Sequence, residues 1–83
     1  MATVGEIRAA LDQSCEYLRD AYRCVREAGE ALDEAVGLLV AASANHPESL
    51  VPPEFTKAGE LFADELELIV GSIELVQRVA GEL

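Results

Sequence analysis

The sequence predicts an all-α fold: two long antiparallel helices forming a helical hairpin, paired as a dimer into a four-helix bundle. Three observations carry that prediction. Proline occurs only at Pro47, Pro52 and Pro53, a single break in the chain. Before it, large apolar residues recur every seven positions; after it, they recur in alternating steps of four and three. The composition is rich in alanine, leucine and glutamate, all strong helix formers. With 83 residues there is material for one core, so residues 1–83 form a single helical-hairpin domain.

The first helix is expected from about Thr3 to Ala44. Thr3-Val4-Gly5-Glu6 fits a capping box, in which the Thr3 hydroxyl accepts from the Glu6 amide and the Glu6 carboxylate reaches back. Val4, Leu11, Leu18, Val25, Leu32 and Leu39 form one row of a heptad. Three residues after each come Ile7, Ser14, Ala21, Ala28, Ala35 and Ala42. Small side chains let a facing backbone approach, so the seam is expected to run along Ala21, Ala28, Ala35 and Ala42. Gly29 and Gly37 each weaken the helix by about 1 kcal/mol relative to alanine. A break near Gly29, giving three helices, is the competing architecture.

Asn45 to Pro52 reads as a loop. Asn45 suits the position just after a helix, and Pro47 blocks continuation. Leu50 and Val51 are expected to cap the core. The second helix is expected from Pro53 to near Leu83, with Pro53 and Glu54 favourable in its first turn. Phe62, Leu66, Ile69, Ile73, Val76, Ala80 and Leu83 form one stripe. Leu61, Leu68, Leu75 and Val79 form a second stripe beside it. One partner helix covers only a narrow stripe, so this arc is wider than a lone hairpin hides.

Counted back from the loop, the second helix reaches about Glu16. Val4, Ile7, Leu11 and Cys15 would then project beyond it, and such an overhang marks an interface. The residues expected to carry association are Val4, Ile7, Leu11, Leu18, Val25, Leu32, Leu61, Phe62, Leu68, Ile69, Leu75 and Val76.

The net charge is −10. That field repels nucleic acid and anionic lipid, so neither is an expected partner. A second copy is the first expected partner, and a protein with a basic surface the next. No cofactor is expected. A metal site in a helical bundle needs inward Glu-x-x-His pairs, whereas His46, the one histidine, falls in the loop. Cys15 and Cys24 lie on opposite sides of one helix and about 13 Å apart along it, so they cannot bond to each other. Cys15 reads as a small buried residue and Cys24 as a flank of the seam. No two candidate catalytic groups fall together, and the expected function is non-enzymatic. Arg19, Arg23 and Glu27, and Arg26 with Glu30, are expected to pair at four-residue spacing. The opening Met1-Ala2-Thr3-Val4 has no basic leader, so a cytoplasmic location is expected.

Two resemblances bear on function. A small acidic helical chain with Glu48-Ser49-Leu50 resembles acyl carrier proteins, which implies phosphopantetheine on Ser49. An alanine- and valine-rich chain with five arginines and one lysine points to a high-GC genome. A hairpin of this size resembles the small helical-hairpin proteins of actinobacteria, distantly including the Trp-x-Gly hairpin substrates of type VII secretion. That resemblance covers nearly the whole chain and is one of architecture. It implies dimers packed as four-helix bundles, and export without a cleavable signal peptide. The signature itself is absent: there is no tryptophan, and Ala21 and Arg26 stand four residues after Tyr17 and Tyr22 where an acid would be.

Leu18→Asp places an unpaired charge in the apolar seam. It is expected to unfold or dissociate the protein, read by loss of helical circular dichroism or by sedimentation.

Overall fold

The alternating stripes fold into two helices lying side by side. The computed structural model describes Met1–Leu83. Helix α1 spans Val4–Ala42, a 3-10 turn follows at Ser43–Asn45, and α2 spans Pro53–Gly81. There are no strands. The molecule extends 65 × 18 × 14 Å. No helix is long and apolar enough to cross a membrane.

Helix α1 starts as its sequence dictates. Thr3 is extended and its hydroxyl accepts from the Glu6 amide at 3.1 Å. The reciprocal bond from the Thr3 amide to the Glu6 carboxylate does not form, so half of the capping box is used. The helix runs without interruption through Gly29 and Gly37, which excludes the three-helix architecture.

The end of α1 differs from expectation. No residue has a positive φ, so Asn45 does not close the helix in the left-handed conformation. Ser43 does the work instead. Its hydroxyl donates to the Leu39 carbonyl at 2.7 Å and accepts from the Leu50 amide at 2.9 Å. That second bond ties the loop back against the last turn of α1. Val51 is half-buried there, while Leu50 stays exposed and caps nothing. Pro53 then opens α2 at the position where its missing N–H costs nothing.

The seam also differs from expectation. On α1 the residues turned toward α2 are Leu11, Leu18, Val25, Leu32 and Leu39, joined by Cys15, Tyr22, Gly29, Val36 and Ser43. The second row therefore lies four residues after the first, not three. Of the alanine row, Ala21 and Ala35 are half-buried while Ala28 and Ala42 are exposed, so the row flanks the seam rather than forming it. A heptad row admits either companion. The hairpin adopts the one that buries Cys15, Tyr22 and Val36, which offer more apolar area than alanine methyls. On α2 the inward stripe is Phe55, Gly59, Phe62, Leu66, Ile69, Ile73, Val76 and Ala80.

Gly59 sets the register: a methyl built there would lie 3.9 Å from Leu32 Cδ2. Counting outward from that contact brings Val25 level with Leu66, Leu18 with Ile73 and Leu11 with Ala80. Helix α2 therefore reaches Leu11 rather than Glu16. Cys15 is one of the two buried residues, at 5% exposure, as its reading as a small buried residue required and not in the overhang. The reason is the loop, which doubles back beside α1 before α2 begins and so carries α2 further along its partner. Only Val4 and Ile7 of the row project beyond, 56% and 39% exposed.

Gly37 is exposed, and a methyl built on it meets nothing within 4 Å. Gly37→Ala is expected to stabilise the protein by about 1 kcal/mol by lowering the entropy of the unfolded chain. Thermal unfolding should show a rise of roughly 4–8 °C.

Candidate functional site: an uncharged face along both helices

The two seams leave one lateral face of the hairpin whose α1 half carries no charge. On α1 this face consists of the residues one before and three after each member of the leading row. They are Ala10 and Ser14, Tyr17 and Ala21, Cys24 and Ala28, Ala31 and Ala35, Leu38 and Ala42, with Ile7 at the end. None is charged. Every Asp, Glu, Arg and Lys on α1 falls elsewhere. On α2 the same construction around Phe55, Phe62, Ile69 and Val76 gives Glu54 and Ala58, Leu61 and Glu65, Leu68 and Ser72, Leu75 and Val79. Glu54 and Glu65 are the charges among these eight.

Both sets lie on the same side. Two antiparallel helices that use equivalent rows at their seam are related by a two-fold axis between them, perpendicular to the hairpin plane. That rotation leaves the lateral direction unchanged, so a flank of α1 and the equivalent flank of α2 emerge together. The result is a single face two helices wide.

Its large apolar side chains are open to solvent. Leu61, Leu68, Leu75 and Val79 are 57%, 67%, 57% and 47% exposed; Tyr17 and Leu38 are 66% and 74% exposed. Nothing polar within the hairpin engages them.

The opposite flank carries the charges. Arg19 donates to Glu16 at 3.0 Å, Arg23 to Asp20 at 2.9 Å, and Arg26 approaches Glu30 at 3.8 Å. Of the expected four-residue pairs, Arg26 with Glu30 forms and Arg23 with Glu27 does not. Arg19 and Arg23 turn back to acids one turn earlier, the order that suits the helix dipole. All these side chains are about half exposed or more, so each pair contributes little to stability. A shallow groove of about 330 Å³ on this flank is lined by Tyr22, Leu66, Glu67, Val70, Gly71 and Glu74. No group of His, Cys, Asp and Glu is gathered as a metal ion would require.

The residues expected to mediate association divide in two. Leu11, Leu18, Val25, Leu32, Phe62, Ile69 and Val76 line the seam within the hairpin, with Ile69 buried and the others half-buried. Ile7, Leu61, Leu68 and Leu75 lie on the uncharged face, and Val4 projects at the end. Tyr17, Leu38, Ala10 and Ala31 complete that face and were not anticipated, while Cys24 and the row Ala21, Ala28, Ala35 and Ala42 were expected at the seam within the hairpin. The signal was present in the sequence: the charges of α1 avoid these positions throughout. Ser49 is exposed in the loop, four residues before α2. Its hydroxyl accepts from the Val51 amide at 3.2 Å, so it does not open a helix as the serine of acyl carrier proteins does.

Fold and face together define an acidic all-α helical hairpin with one side free of charge along α1. Comparison with described protein families, with characterised proteins and with solved structures gives no match.

Arg23→Gln removes one of the exposed pairs. It is expected to change unfolding free energy by less than about 0.5 kcal/mol, measured by urea denaturation.

Proposed function

We propose that this protein is a non-enzymatic, self-associating interaction module whose two copies pair through their uncharged faces into a four-helix bundle. The observation that carries this is the face itself, continuous over both helices and bare of charge on α1. Solubility favours charge on every exposed helix surface, so its exclusion from one side argues for burial of that side.

The surface area agrees. The hairpin exposes 6229 Å²; a compact chain of 8.9 kDa exposes about 4,800 Å². The excess of roughly 1,400 Å² exceeds the ~800 Å² that each partner buries in a standard interface. The radius of gyration, 19.2 Å, compares with about 12 Å for a compact domain of this length. Only Cys15 and Ile69 are buried, a small core for 83 residues. Pairing supplies what the hairpin lacks, because Leu61, Leu68 and Leu75 each contribute about 1.5–3 kcal/mol when removed from water.

Pairing through this face turns the acidic flank outward on both sides of the bundle. Glu60, Asp64, Glu67 and Glu74 are exposed there. That flank suits a further protein with a basic surface, and disfavours nucleic acid and anionic membranes.

Light scattering after size exclusion, over a concentration series, is the direct test. A mass of two chains is expected at micromolar concentration. Leu68→Glu, at a site already exposed in the hairpin, should shift the mass toward one chain. Val40→Glu, on the opposite flank and also already exposed, should not. A mass of one chain throughout the series would remove the proposal.

A further inference from the structure

We propose that the copies stack like helix on like helix, with α1 antiparallel on the partner's α1 and a two-fold axis passing at the level of Cys24. This arrangement rests on the self-association proposed above and specifies its geometry. The uncharged row of α1 runs from Ile7 to Ala42, further along the hairpin than α2 reaches. Another α1 is the one element here that offers a row of equal length.

The row is also complementary to its own reversal. Its bulky members are Ile7, Tyr17 and Leu38, each separated from the next by small residues. Reversing the row about its middle sets Ile7 against the partner's Ala42, Tyr17 against the partner's Ala31, and Leu38 against the partner's Ala10. Each large side chain thus meets an alanine, the alternation that fills an interface without voids. Cys24 lies one residue from the midpoint of Val4–Ala42 and on this row, so the two copies of Cys24 meet at the axis. The other face-to-face stacking places α1 on the partner's α2. It leaves the two Cys24 on diagonally opposite helices, roughly 14 Å apart for a helix spacing of about 10 Å. A disulfide needs Cα atoms within about 7 Å.

Cys24 is an exposed free thiol and Cys15 a buried one, so the native chain carries its own probe. Treatment with diamide joins two thiols as one disulfide, their two electrons and two protons passing to the diamide. Non-reducing electrophoresis and peptide mapping are expected to show a covalent dimer linked Cys24 to Cys24. Arg26→Cys in a Cys24→Ser background, with the thiol on the opposite flank near the same level, should link at least ten-fold more slowly. Equal rates would mean random collision and overturn the arrangement. A dimer by light scattering that instead links Cys24 to the new thiol of a Leu68→Cys chain would overturn it too, while leaving self-association intact. A single-chain mass at every concentration would overturn both.

Discussion

The hairpin depends on one packing constraint: a straight helix can show a neighbour only one stripe of steps alternating between three and four residues. Once Leu11, Leu18, Val25 and Leu32 are joined by Cys15, Tyr22 and Val36 on α1, every other position has its orientation fixed. The approach of Leu32 to Gly59 marks the height at which the partner sits. Loop, overhang and lateral faces follow from this choice of rows and this one registration.

Charge is distributed as a consequence of the same choice. Arginines and acids on α1 keep off the uncharged face, and those that pair do so at low cost in water. Desolvating them would be expensive, and the sequence never requires it on α1. Glu54, at the start of α2, and Glu65 are the exceptions. Glu65 lies further along the helix. It sits among Leu61, Leu68 and Ser72 and is exposed, so its charge is solvated in the hairpin. Two surfaces of opposite character therefore run the length of one thin molecule, and only one of them is comfortable in water.

Much of this was legible in the residues. Thr3 and Pro53 announced the starts of the helices, and the proline cluster announced the break. The stripe from Phe62 to Ala80 named its own inward face. The choice between the alanine row and the row of Cys15, Tyr22 and Val36 was not legible. Both are three or four residues from the same leucines, and only the shape of α2 decides between them. The reach of α2 was hidden for a similar reason. It depends on a loop that folds back through the Ser43 hydroxyl, a bond between residues seven apart that no periodicity encodes. The α1 half of the face was read as a seam within the hairpin, because Ile7, Ser14, Ala21, Ala28, Ala35 and Ala42 keep heptad spacing. Their meaning lay in the charges missing between them.

The scarcity of buried residues has a thermodynamic consequence. With Cys15 and Ile69 alone in the core, the chain gains little by folding in isolation, and any species that covers the open face adds its binding energy to the fold. Abundance then becomes a structural variable. Under the proposed pairing, dilution acts as a denaturant, and the folded fraction in a cell tracks how many copies are made as closely as it tracks temperature.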